Sequence, residues 1–173
     1  VRDLPADSHL YKKTGNAFDA NFIFATPGYT VRPLEMSGAI GSVQLKKWPQ
    51  IEETRVNNAK HFVQLFGNKP FLRIQQIVGK SSWFTFGIVL DGELKGRRAE
   101  IVKALDEAGI QNRPLASRNF LKQPVMRELD HIASGEMTAA DDIHDNGFFV
   151  GNGSKDIREE LDQLYTTIVK FVE

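Results

Sequence analysis

Two arginines, an asparagine and a histidine are the side chains of this sequence best suited to chemistry. Arg32 stands before Pro33, where a helical pattern begins. A guanidinium is permanently charged and offers a planar fork of donors that matches phosphate. It could equally pair with Glu35 in the first helical turn, and residue type alone does not separate the two. Arg113 ends a strand-like run at Pro114, a place where substrate contacts often collect, and its fork suits phosphate groups. On residue type alone a structural salt bridge is the preferred reading. Asn119 offers donors and acceptors to a polar ligand, though asparagine before a helix is more often just an N-cap. His144 can move protons near neutral pH, or serve as a half-buried structural histidine. The pair Asp141 and Asp142 reads as a solvated helix face, with no metal assigned.

Helices and strands must hold these groups. Pro33 suits a first helical turn, and Met36, Ala39, Ile40 and Val43 recur at helical spacing, as an inward face would. Ser37, Gly38, Ala39 and Gly41 strip that helix of bulk. A glycine in a helix interior costs about 1 kcal/mol against alanine, which implies close approach of another backbone or a ligand. Trp48-Pro49 is expected to break the helix. A second helix then runs to Phe66 with Ala59, Phe62, Val63 and Phe66 on one face and Gly67 as its stop. Strands are expected over 72–78, 83–90 and 110–115, with a helix over 97–108. A last helix starts from Ser154 as N-cap, with Ile157, Leu161, Leu164, Tyr165, Ile168 and Phe171 at its spacing. Phe148 and Phe149 read as core, with at most one ring facing a substrate. The layout is α+β, a helix pair with a small, largely antiparallel sheet.

Composition narrows the function classes. Lys plus Arg equals Asp plus Glu, 22 each in 173 residues, so no global field favours nucleic acid or an acidic membrane. No apolar run approaches a membrane span. The absence of cysteine removes disulfides, thiolate metal sites and a cysteine nucleophile, which fits the cytoplasm. Four histidines show no metal-ligand spacing.

The motifs carry a more specific message. Gly28, Tyr29, Arg32, Gly41 and the run Gln44-Leu-Lys-Lys47 resemble the DegT/DnrJ/EryC1/StrS family of pyridoxal phosphate (PLP) enzymes that act on nucleotide-linked keto sugars. The segment from Arg113 through Asn119 to Gln123-Pro124, and that from His144 to Asn152, are similar to the family's sugar 3-dehydratase branch. Its aminotransferases tend to carry a histidine after Pro-Leu, where this chain has Ala116. The resemblance implies the small C-terminal domain of a fold-type I, aspartate aminotransferase-like enzyme. A connecting segment would cover 1–33 and the small domain 34–173, with the large PLP-binding domain absent from this chain. It implies cofactor-phosphate contacts from Thr30 and Arg32, and substrate contacts from Arg113, Arg118, Asn119 and His144. No catalytic residue falls within the chain. Pyridoxal or pyridoxamine phosphate would be held by the full-length parent and by neither part of this chain alone, which is then inactive. The parent is expected to be a cytoplasmic homodimer that removes the C3 hydroxyl of a 4-keto-6-deoxy sugar for lipopolysaccharide, or an aminotransferase of the same family. Two positions depart from the pattern. Thr30 replaces the usual asparagine with a shorter single hydroxyl, and Arg118 replaces a glycine, where it either binds a phosphate or blocks the pocket. A non-catalytic binding or assembly module is the alternative from another class.

Overall fold

The computed structural model describes residues 33–115, 119–122, 126 and 130–172. Thr30, Arg32 and Arg118 lie outside the described residues. Internal packing divides the chain at Ser42 and Val43.

Helix α1 spans Glu35–Phe66 without interruption, and Pro49 lies inside it. The expected break is therefore absent. Proline removes one amide donor and crowds the carbonyl four residues back. Here that stretch of helix is exposed, so water can satisfy the freed carbonyl. The expected inward face is also corrected: Met36, Ile40 and Val43 are all exposed. A Cβ added at Gly38 or Gly41 would meet nothing within 4 Å, so the close approach that two helix glycines suggest is not made among the described residues. The C-terminal half behaves as its spacing predicts, burying Asn58, Ala59, Phe62 and Phe66, with Val63 left at the surface. The Gly67 amide donates to Val63 O at 2.8 Å and closes the helix.

Four strands follow: β1 (Leu72–Ile74), β2 (Thr85–Leu90), β3 (Asn112–Pro114) and β4 (Gly147–Gly151). Helix α2 (Arg98–Glu107) lies between β2 and β3, α3 (Thr138–Asn146) precedes β4, and α4 (Arg158–Val169) follows it. The strand order is β1-β2-β4-β3, antiparallel throughout. The first two strands are shorter than their apolar runs. Trp83 sits at φ 49°, in the left-handed region, which stops the chain from extending before Thr85. Ser154 does not cap α4. Asn58 Oδ1 accepts the Ile157 amide at 3.3 Å, which keeps the preceding residues in the loop, and Asp156 Oδ1 takes the first helical amide, Arg158 N, at 3.2 Å.

The sheet has two unlike faces, as alternation along each strand requires. Phe86, Ile88 and Leu90 of β2 and Phe148 and Val150 of β4 enter the core with Phe62, Phe66, Ile101, Leu105, Leu161, Leu164 and Ile168. The helix pair on this face is α1 with α4, joined where the Phe66 and Tyr165 rings meet at 5.3 Å. The opposite face carries Gly87, Gly147, Phe149, Gly151 and Arg113, in rows set by the pairing of Gly87 with Phe149 and of Arg113 with Phe149. Leu115 covers part of it: its methyls lie 3.5 Å and 2.6 Å from where a Cβ would stand on Gly87 and Gly147. Among the described residues, no helix is long and apolar enough to cross a membrane.

Candidate functional site

The glycine-lined face of the sheet leaves room that a side chain would otherwise fill. A cavity of about 370 Å³ lies at its edge, lined by Phe84, Thr85, Asn112, Arg113, Phe149 and Gly151 among others. Arg113 projects from a short edge strand and is exposed. Phe149, its partner across β3–β4, is half-buried, so of the two adjacent phenylalanines one belongs to the core and the other faces the cavity. Phe84 is 76% exposed, unusual for so large an apolar side chain. The Arg55 guanidinium lies 6.0 Å from its ring centroid. A Cβ on Gly151 would meet nothing within 4 Å, so the cavity is open on that side. An aromatic wall, a permanent cation and small-residue backbone together suit a flat, anionic ligand.

The other expected site residues gather at α3. Asn119 is buried: its Oδ1 accepts the Leu121 amide at 3.0 Å and its Nδ2 donates to Asp141 Oδ1 at 2.8 Å. His144 is half-buried in the last turn of α3, and its Nδ1 is enclosed without a hydrogen-bond partner among the described residues. Its backbone carbonyl accepts from Arg98. Asp141 lies one turn before His144, close enough for the two side chains to interact electrostatically. The structure thus brings Asn119 to the Asp141 carboxylate, with His144 on the same helix, and places Arg113 separately, on the glycine-lined face of the sheet.

Of the Asp141-Asp142 pair, Asp141 stays about two-fifths exposed, as the sequence suggests, while Asp142 is drawn inward. Asp142 is only 17% exposed and accepts from Arg73, from Lys95 at 3.2 Å and from Asn146 at 2.9 Å. Asp141 takes Lys122 at 2.7 Å. Burial pushes the Asp142 carboxyl up, but hydrogen bonds from Arg73, Lys95 and Asn146 outweigh it, and the group lies below its ordinary value. A lowered carboxyl stabilises the fold above the unfolded value of about 3.9 and loses that contribution as pH falls through the folded value. Asp142→Asn should therefore lower stability at pH 7, with the deficit shrinking once pH drops below about 4. Urea unfolding of both proteins at pH 7, 5 and 3 checks this. A deficit that stays constant across the series would show that charge at Asp142 is not what the contacts use.

Sequence reasoning passed over Phe84, Thr85 and Lys122, and noted Gly151 only within the His144–Asn152 motif. Phe84 has a signal only in hindsight, as one aromatic in an unbroken apolar run. Lys122 has none, because its partner lies on α3 and far along the chain. No group of three or more His, Asp or Glu residues that could hold a metal occurs among the described residues. Asp141 and Asp142 are committed to Lys122, Asn119, Arg73, Lys95 and Asn146, so neither is free to meet the ring nitrogen of a pyridine cofactor.

The chain resembles known proteins along most of its length. A model of the DegT/DnrJ/EryC1/StrS aminotransferase family matches residues 5–169. The GDP-4-keto-6-deoxy-D-mannose 3-dehydratase of Yersinia pseudotuberculosis is 45% identical over 172 residues, 98% of this chain and 44% of that protein. The solved E. coli GDP-4-keto-6-deoxy-D-mannose-3-dehydratase with bound hydrated PLP is similar at TM-score 0.77 and 39% identity, over 89% of this chain and 40% of that one. A mutant GDP-4-keto-6-deoxymannose-3-dehydratase with bound GDP-perosamine matches at the same TM-score and identity, over 90% of this chain and 40% of that one. The chain spans less than half the length of these relatives. The α+β domain described above has the architecture of the small domain of fold-type I, aspartate aminotransferase-like enzymes.

Proposed function

The chain belongs to the DegT/DnrJ/EryC1/StrS aminotransferase family, and from that premise we propose that it is the substrate-holding C-terminal part of a nucleotide-sugar 3-dehydratase. The reaction is loss of the C3 hydroxyl from a GDP-linked 4-keto-6-deoxy sugar, a step toward lipopolysaccharide. Pyridoxal or pyridoxamine phosphate, held mainly outside the described residues, would supply the electron sink for that elimination. Thr30 and Arg32 are proposed to reach its phosphate. Arg113 and Arg118 are proposed to hold the nucleotide diphosphate, with Asn119 and His144 on the sugar side. The exposed apolar row of α1, with Met36 and Ile40 among it, is proposed as the assembly surface of a homodimer.

One observation carries the reading. Arg113 stands exposed at a cavity walled by Phe84 and Phe149 and left open by Gly151. A nucleoside diphosphate offers a ring for the aromatic wall and two phosphates for the guanidinium. The chain's part in the reaction is to bind and orient that group.

Titration calorimetry with GDP tests it. Arg113→Ala should weaken binding by about ten-fold or more, as loss of a charge-assisted contact does. The melting temperature should stay close to wild type, because Arg113 is exposed. Gly151→Val should also weaken GDP by filling the cavity, since its added carbons meet no backbone. Wild-type affinity in both variants, or no saturable binding by the wild type, would sink the reading. With the cofactor-bearing half supplied, product analysis separates the chemistries: a sugar lacking its C3 oxygen supports the dehydratase, and an amino sugar supports the aminotransferase.

A further inference from the structure

The register of the sheet continues the glycine-lined face one row past Arg113. Thr85 of β2 pairs with Gly151 of β4, and Asn112 of β3 pairs with Val150. The next step along β3 therefore sets Gln111 beside Gly151. Alternation puts Gln111 on the face that carries Arg113, and both line the cavity of about 370 Å³ with Thr85, Gly151, Phe84 and Phe149. Thr85 and Gln111 thus stand on the two strands that flank β4, with a glycine between them. The backbones of those two strands are about 9–10 Å apart, two strand spacings. A Cβ on Gly151 would meet nothing within 4 Å, so the space between them is empty. The result is a trough with an open floor, aromatic rings in its wall, a hydroxyl on one bank and an amide on the other. Neither of those two side chains is committed to another group among the described residues.

We propose that this trough is the nucleobase subsite, and that Gln111, with Thr85 opposite, holds the polar edge of the base. This rests on the reading of Arg113 given above. Gln111 and Arg113 are two residues apart on one face, about 7 Å along the edge strand. A ribose sets a base and its first phosphate a similar distance apart, so phosphates at Arg113 bring the base over Gly151. A flat ring needs the room that a side chain at 151 would take, and Phe84 and Phe149 give it a surface to stack on. The edge of a base also carries donors and acceptors, which cost free energy if they leave water unpaired. A glutamine amide presents one acceptor and one donor group in a plane, which matches an adjacent N–H and C=O such as guanine N1–H and O6. The threonine hydroxyl can donate or accept across the trough.

The test compares two probes by titration calorimetry: GDP, and inorganic pyrophosphate, which has the phosphates and no base. Gln111→Leu keeps most of the bulk and removes the amide. It should weaken GDP about five-fold and leave pyrophosphate within about two-fold of wild type. Its melting temperature should stay close to wild type, because Gln111 is exposed. Thr85→Val, an isosteric change suited to a strand, should show the same selective loss. Arg113→Ala should weaken both probes, which a base contact alone would not do. An equal loss of GDP and pyrophosphate in Gln111→Leu overturns the proposal, since the residue would then act on the phosphates. Unchanged GDP affinity in Gln111→Leu, while Arg113→Ala still weakens GDP, also overturns it: the phosphate reading survives and the base subsite fails. If the wild-type protein shows no saturable GDP binding, both fall.

Discussion

Phe62→Ala should bring this domain close to unfolding at ambient temperature. Phe62 is 0% exposed and lies at the centre of the aromatic core. Its ring stacks on Phe86 with centroids 4.4 Å apart and planes 18° apart, meets Phe66 at 4.8 Å, and meets the Trp83 edge at 6.1 Å. Truncation removes the transfer free energy of a phenyl ring and leaves a cavity that three rigid rings cannot collapse into. Such changes cost about 3–5 kcal/mol, against a total stability of about 5–15 kcal/mol for an ordinary domain. Phe62→Leu restores most of the volume and should cost less than half as much, which separates cavity formation from loss of ring stacking. Val63→Ala is the control: one residue along but on the exposed side, it should cost under about 1 kcal/mol. Urea unfolding followed by far-UV circular dichroism reads all three. If Phe62→Ala costs no more than Val63→Ala, the packing of α1 onto β2 is wrong.

Phe62 also shows what the sequence could and could not reveal. Its spacing with Ala59 and Phe66 marks an amphipathic helix, because a helix that buries one face must repeat its apolar residues at that interval. The same rule, applied to Met36, Ile40 and Val43, marks a face that is exposed among the described residues. Periodicity says which residues share a face and is silent on what meets it. Pro49 failed as a boundary for a related reason: proline's cost depends on whether the freed carbonyl reaches water, and exposure is a tertiary property. Strand β4 was not legible at all. Gly147-Phe-Phe-Val-Gly151 is too short for a clear alternation, although it lies between β2 and β3 and organises both. For the site, residue types and motif order singled out Arg113, Asn119 and His144 as candidates. The contacts around Asn119 were hidden. Asp141 looked like solvated charge, since its partners Asn119 and Lys122 come from a segment whose approach to α3 depends on the finished sheet.

Asn152→Ala should cost about 2–4 kcal/mol, as much as many core truncations, although the residue is polar. Asn152 is 3% exposed, between Gly151 and Gly153 at the wall of the Arg113 cavity. Its Nδ2 donates to Arg55 O at 3.1 Å and to Trp83 O at 2.9 Å, and its Oδ1 accepts from Asn58 Nδ2 at 3.1 Å. Asn58 in turn holds Lys155 O at 2.8 Å and the Ile157 amide. Two buried amides thus join α1, Trp83 ahead of β2, and the entry to α4. Trp83 depends on this most, because a non-glycine residue in the left-handed region persists only where its surroundings hold it. Alanine at 152 leaves the Trp83 carbonyl and one Asn58 proton buried without partners. Asn152→Asp distinguishes this network from simple packing. The volume is unchanged, but an ionised carboxylate would face two carbonyls and lose both donor bonds. Burial among acceptors would raise the new carboxyl above its ordinary value, so the penalty is full at pH 7 and shrinks as pH falls and the group regains a proton to donate. Asn152→Ala carries no such group, and its deficit should not shrink in the same way. Stability of both variants relative to wild type at pH 7 and pH 4.5 decides the matter. Parallel deficits at the two pH values would mean that Asn152 fills space and its hydrogen bonds matter little. Because Asn152 N also donates to Phe84 O at 3.3 Å, the network that holds Trp83 also sets the backbone of the aromatic wall. GDP affinity should therefore fall in both variants, even under conditions where they remain folded.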